Sequence, residues 1–357
     1  MKEPSSFAAQ AKTDWEAKVV KDLKGKPLDG LNWTLEGRTY GALFHADDHP
    51  ASGSTRPQRQ DNQWTNGEWI KVGDISVANQ QALAALQKGA NAICFEWSHA
   101  PNRSEFSRVL EGIHLEWMTL HFAGSLGTQI ILEQLLKEYV PLRSYDPARV
   151  NAYFLPTGQL KQLPDLVSVF NRYGLRLPKD TTPSQSIAQA LDAANRLLQH
   201  WQDHDWSLAG HVRGLHFWWQ PTDDYFVNIA QVRAFRLLWR QFLSAWQLPI
   251  RPLVLTAEVG YYGSDVNSNK IKATSQAMSA VIGGVDQLFI APSDEPTTSG
   301  GSTFTRRLAL NIQHLLEQES YLQRVADPAA GSYFIETLTN DLAATAWGHF
   351  QQLSRTS

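Results

Sequence analysis

Gly214-Leu215-His216-Phe217-Trp218-Trp219 is followed by apolar positions at Ile229, Val232, Phe235, Trp239, Phe242 and Trp246, and then by Leu253-Val254-Leu255-Thr256. The first and last runs are short, β-branched or aromatic, as buried strands are. The stripe between them repeats at the helical period, so the unit reads strand, helix, parallel strand. Working outward, further strands are expected near Ile70–Ile75, Ala92–Trp97, Leu115–His121, Val150–Phe154, Leu166–Phe170 and Gln287–Ala291. A second helical stripe carries Leu308, Ile312, Leu315 and Leu316. Eight strands alternating with helices predict an α/β fold, a (β/α)8 TIM-type barrel over residues 68–357. The run between Pro141 and Thr182 is expected to be rich in loop, and Thr337–Leu353 to form a final helix.

Residues 1–67 read as an extended N-terminal arm. Phe7, Trp15, Val19 and Leu23 suit one amphipathic helix, followed by Gly25-Lys26-Pro27 and a breaker-rich stretch from Asp47 to Gly67. Such a segment holds no core of its own and must dock on something.

Composition narrows the function classes. Hydrophobic residues make up 43% and charged residues 19%, which suits a packed globular chain. The net charge of −3, without a Lys/Arg run, gives no footprint for nucleic acid. No stretch is long and apolar enough to span a membrane, and the polar N-terminus has no signal-peptide pattern, so a cytoplasmic location is expected. The single cysteine, Cys94, lies in an apolar run and reads as a buried strand thiol. Thirteen Trp read as core rings, since interleaved Arg/Lys for base stacking is missing.

Few constellations suggest chemistry. His200 and His204 have the spacing of a helical metal clamp but sit at a solvated helix end without a His-Glu-x-x-His pattern. His114 and His121, seven apart on one expected strand, would face opposite ways. No phosphate-cradling glycine motif is present, and Gly283-Gly284 reads as a helix stop. Asp294-Glu295 follows the last expected strand at the barrel mouth, where barrel enzymes place function; a helix-capping role is the plainer alternative.

Three stretches resemble a known family. Asn311 to Ser320 with Arg324-Val325-Ala326-Asp327-Pro328-Ala329-Ala330-Gly331-Ser332-Tyr333, the helix Arg233-Ala234-Phe235-Arg236-Leu237-Leu238-Trp239, and the arm from Phe7 to Gly37 are similar to methylmalonyl-CoA mutases. The resemblance implies a radical rearrangement of methylmalonyl-CoA to succinyl-CoA with adenosylcobalamin. Residue by residue, it also implies losses. Where catalytic chains carry Arg and Ser to hold the acyl-CoA, this chain has Gly214 and His216. A substrate-binding His expected near Asn171–Leu177 is missing. The cobalt-ligating Asp-x-His-x-x-Gly pattern is approached only at Asp47-Asp48-His49, without the Gly, and no cobalamin-binding domain is expected. Glu295 stands in the place of a carboxylate that contacts the cofactor's adenosyl ribose.

These departures resemble the small, non-catalytic subunit, as does Thr256-Ala257-Glu258 with Asp265-Val266-Asn267 and Ile271. The implied partner is a large catalytic subunit, or a second copy in a homodimer when the chain is alone. No cofactor is expected on this chain, the adenosylcobalamin lying in the partner. The alternative is the barrel half of a split acyl-CoA mutase that recruits a separate cobalamin-binding chain. A barrel with an unrelated small ligand is a third reading. Finally, Phe95, Trp97, Trp117, Phe217, Trp218, Trp219 and Phe289 crowd the expected strands, and alternation must turn some inward, for instance one of Trp218 and Trp219. The barrel axis is therefore expected to be plugged by side chains.

Overall fold

The structure is a computed structural model that describes residues 11–48, 59, 61–156, 173–260 and 262–356. Among the described residues, ten strands form. β1 (Trp33–Leu35) and β2 (Arg38–Tyr40) make a small antiparallel hairpin. The other eight are β3 (Thr65–Val72), β4 (Ala92–Trp97), β5 (Thr119–Gly124), β6 (Ala152–Pro156), β7 (Tyr173–Arg176), β8 (Leu215–Trp219), β9 (Leu255–Val259) and β10 (Gln287–Ile290). These eight are parallel throughout and close into a barrel, with β10 pairing both β9 and β3. The expected (β/α)8 architecture is therefore present.

Helices α1 (Lys12–Asp22), α2 (Ile75–Gln87), α3 (Arg103–Val109), α4 (Leu126–Leu142), α5 (Pro183–Asp203), α6 (Leu208–His211), α7 (Tyr225–Ala245), α8 (Val266–Gly283), α9 (Thr303–His314) and α10 (Tyr333–Thr356) complete the set. All but α1 lie between or after the barrel strands. Eight of them begin on a side chain that caps the first turn: Asp74, Asn102, Ser125, Thr182, Ser207, Asp224, Asp265 and Ser302 each accept a backbone N–H. Such caps satisfy donors that the helix itself leaves open. α8 ends as the sequence suggested, on Gly284 in the left-handed conformation at φ +93°.

Strand alternation sorts the core into layers. Ile70, Phe95, Phe122, Phe217, Trp219 and Ile290 face outward and pack under the helices. Cys94, Ala123, Leu155, Trp218 and Phe289 face the axis. The outward layer contains most of the apolar residues, as the sheet-to-helix interface of a barrel requires.

Some expected boundaries move. Leu115–Trp117 is a 3-10 turn, and the strand starts only at Thr119. Trp117 stacks on His114 outside the barrel and is 73% exposed, so it is not a strand residue. The fifth barrel strand is Tyr173–Arg176; the expected strand Leu166–Phe170 lies outside the described residues. So do Phe7, His49, Asn171 and Arg172. The helical part of the first segment is α1, which buries none of its residues. Within the expected arm, Trp33–Tyr40 forms a hairpin docked on this chain's own α10: Trp33 and Phe44 meet Phe334, and Arg38 pairs with Asp341.

Candidate functional site

The bore of the barrel is lined by the inward-facing residues of the strands. Inward positions follow from the register, in which Trp69, Cys94, His121 and Tyr153 are neighbours across four strands. Gly174 lies beside His216, Arg176 beside Trp218, and Glu258 beside Phe289. Six rings meet on the axis. His121 stacks on Tyr153 at 5.0 Å, Tyr153 lies 4.5 Å from His216, and Trp218 sits edge-on to His121 at 5.2 Å. Phe289 is 5.1 Å from Trp218, and Trp69 stands perpendicular to Trp218 at 5.3 Å. His121 and His216 are 0% exposed, and Trp218 and Phe289 are 1% exposed.

Two glycines make room for these rings. A Cβ on Gly67 would come within 2.5 Å of the Phe289 ring, and one on Gly174 within 2.9 Å of His216 Cε1. The plugged axis expected from the sequence is thus present, with Trp218 the inward member of the Trp218–Trp219 pair. Trp219 faces outward, where its Nε1 donates to Gln231 Oε1 at 3.0 Å. The indole N–H of Trp218 donates to His216 Nε2.

Above the plug, at the C-terminal ends of the strands, polar side chains ring the mouth in pairs. Arg176 pairs with Glu258, and its guanidinium lies 5.3 Å from the centre of the Trp69 ring. Gln220 donates to the other Glu258 oxygen at 3.2 Å, and Trp69 Nε1 donates to Glu96 at 2.8 Å. Glu295, beyond β10, pairs with Lys71 of β3, and this bond raises the lysine's pKa. The ring was not foreseen from the sequence. Its signal was there: Glu96, Glu258, Lys71 and Arg176 are charges at the ends of otherwise apolar strands, all of inward parity.

The sequence-derived site residues do not converge. Gly214 closes the 3-10 turn Val212–Gly214 that enters β8. His216 is sealed beneath Trp218, whereas Glu295 is at the opposite, C-terminal mouth. Asp294 does not face a ligand either. Burial alone would raise its pKa, but hydrogen bonds from Thr305 and Ser302 outweigh it and hold the carboxylate low. The acidic pair therefore divides into a brace for the start of α9 and a mouth ion pair. His200 and His204 lie 4.3 Å apart at the end of α5 and pack with Trp206, while His114 is far from His121 on the exposed turn. Cys94 is fully buried in the bore, which pushes its thiol pKa up.

The residues that carried the resemblance prove to be architectural. Arg233 of α7 donates to both oxygens of Asp327 at 2.9 Å and to Glu336 at 2.7 Å; Arg233 and Glu336 are buried and Asp327 is partly buried. Arg236 binds Asp286 at 2.8 Å and the carbonyls of Leu253 and Gly284. Together they tie α7 to the Asp327–Tyr333 turn, to α10 and to the entries of β9 and β10.

The sequence profile of methylmalonyl-CoA mutase matches residues 180–356, the segment that holds both arginines and the turn. The chain belongs to the methylmalonyl-CoA mutase family. It is 27% identical to the methylmalonyl-CoA mutase small subunit of Porphyromonas gingivalis, over 97% of this chain and 63% of that one. With the small subunit from Streptomyces virginiae it shares 31% identity, over 95% of this chain and 61% of that one. A 147-residue stretch is 33% identical to the methylmalonyl-CoA mutase large subunit of Propionibacterium freudenreichii subsp. shermanii, covering 40% of this chain and 20% of that one. The chain thus spans about three fifths of the length of these small-subunit relatives. Among the described residues of this family member, no helix is long and apolar enough to cross a membrane.

Proposed function

We propose that this chain is a small-subunit-like component of an adenosylcobalamin-dependent methylmalonyl-CoA mutase, and that it supports a large catalytic subunit without performing the reaction itself. The observation that carries this reading is the filled bore. Trp218, Phe289, His121 and His216 occupy the axis, where an acyl-CoA would need an open channel. The relatives' small- and large-subunit names support a pairing of unlike chains.

On this reading the two axial histidines, buried beneath Trp218, are out of reach of a cobalamin. Glu295 is committed to Lys71. On this reading adenosylcobalamin would be held by the partner. Within residues 1–67, α1, which buries none of its residues, would act as the docking arm, in the cytoplasm, against the large subunit or against a second copy when the chain is alone. The runner-up, a split mutase whose barrel recruits a separate cobalamin chain, draws on the accessible side of Glu295 at the mouth.

The test combines activity and assembly. Purified chain given adenosylcobalamin and methylmalonyl-CoA should form no succinyl-CoA, and a co-expressed large subunit should co-purify at the mass of a heterodimer. Succinyl-CoA made by this chain alone would overturn the reading. Activity that appears on adding a separate cobalamin-binding chain would replace it with the split-enzyme alternative.

A further inference from the structure

Outside the barrel wall, between α2 and α9, lies a cavity of about 110 Å³. It is separate from the mouth, because Glu68 of β3, which floors it, has outward parity. The sheet-to-helix layer here holds an ion pair: Arg306 of α9 donates to Glu68, the two side chains being 9% and 14% exposed. Arg306 also donates to the Gly300 carbonyl at 3.0 Å. Burial raises the Glu68 pKa and Arg306 pulls it back, so the arginine is spent on its own carboxylate.

Two further bases line the same cavity, Lys88 at the end of α2 and Arg307 of α9. Among the described residues neither is within ion-pair distance of a carboxylate, though the Lys88 charge helps lower the Glu68 pKa, and the Arg307 guanidinium leans over the Phe304 ring at 5.8 Å. Three bases against one acid leave the lining at a formal +2, with Gln81 and Thr303 as neutral donors. The space is several times the roughly 10–15 Å³ that one water needs. A concave, polar-lined space with an uncompensated double positive charge selects an anion, and the nearby low-dielectric wall strengthens that preference.

We propose that this cavity binds a phosphate-sized oxyanion, gripped by Lys88 and Arg307 against the fixed Arg306–Glu68 pair. The site is independent of the mutase reading, and its test does not involve activity. Two oxyanion sources share this chemistry, the free ion and the terminal phosphate of a simple monoester. The experiment is thermal denaturation of the purified chain in sodium phosphate, in glycerol 3-phosphate and in sodium chloride at matched ionic strength, with 31P line broadening as a direct readout. Expected are a saturable, millimolar rise in Tm with phosphate beyond that in chloride, and broadening of the 31P signal. Arg307→Gln and Lys88→Gln should each weaken the phosphate midpoint about tenfold while leaving the Tm in chloride within a few degrees. A monoester that binds as tightly assigns the site to phosphate esters, and a weaker one assigns it to the free ion. Equal Tm shifts in phosphate and chloride, or an unchanged phosphate midpoint in the Lys88→Gln/Arg307→Gln double variant, would overturn the proposal.

Discussion

Arg233 shows how a recognisable residue can be structural. A sequence comparison marks it, but its guanidinium is buried against Asp327 and Glu336 and touches nothing in the bore. The motif was legible as a pattern, whereas its purpose was not, because the turn at Asp327 is 94 residues away along the chain. Removing one partner from such a cluster leaves the others charged and buried, which typically costs about 3–5 kcal/mol. Arg233→Ala is therefore expected to lower the urea midpoint steeply, or to prevent soluble expression. Lys71→Met at the half-exposed mouth pair should change stability by no more than about 1 kcal/mol. Equal losses for the two variants, measured by urea denaturation, would contradict the assignment of Arg233 as the tie between α7 and α10.

Strands and helices were read most reliably where the local signal and the packing agree. Ala92–Trp97 was legible to the residue, and the stripe from Ile229 to Phe242 lies on α7 as its spacing required. β7 was missed for a physical reason. Its sequence Tyr173-Gly174-Leu175-Arg176 contains a glycine and a charge, both poor strand signals. The glycine is needed because the His216 ring and Leu155 press on it, and the arginine because Glu258 faces it. At Leu115–Trp117 the reverse holds: apolar residues suggested a strand, but Trp117 is drawn out of line by its stack on His114.

The β1–β2 hairpin offers a test at this scale. Burial, reinforced by the Asp341 carboxylate that hydrogen-bonds its hydroxyl, raises the Tyr40 pKa to about 12. An unfolded tyrosine ionises near 10. A folded pKa above the unfolded one means that the Tyr40 contribution is complete below pH 10 and is lost as the pH rises toward 12. Tyr139, Tyr225 and Tyr262 shift in the same direction, so the diagnostic quantity is the difference between wild type and Tyr40→Phe. The wild-type Tm should fall more steeply than that of the variant between pH 10 and 12. Parallel pH profiles would show that Tyr40 is not held as described.

At the scale of the whole molecule, the barrel was legible from the alternation of strands and helices, and so was the crowding of its bore. The sequence could not say which rings turn inward, since a one-residue change of register exchanges the faces. The structure settles it with Trp218 and Phe289 inside, admitted by Gly67. A filled interior is what a packed eight-stranded barrel has by default. The consequence for binding can be tested directly. Wild type should show no micromolar binding of methylmalonyl-CoA or free CoA by calorimetry, because the ligand would have to displace buried rings. Trp218→Ala removes the largest of these and also deprives His216 Nε2 of its donor. The expected cost is about 3–5 kcal/mol, as for other large-to-small aromatic changes in cores. Part of that loss comes from the void, so a small planar molecule that refills it should return stability. Indole added to Trp218→Ala is therefore expected to raise its Tm by several degrees while leaving wild type unchanged. Micromolar CoA binding by wild type, or a Trp218→Ala variant that loses less than about 1 kcal/mol and ignores indole, would mean that Trp218 does not seal the axis and that the bore is open to substrate.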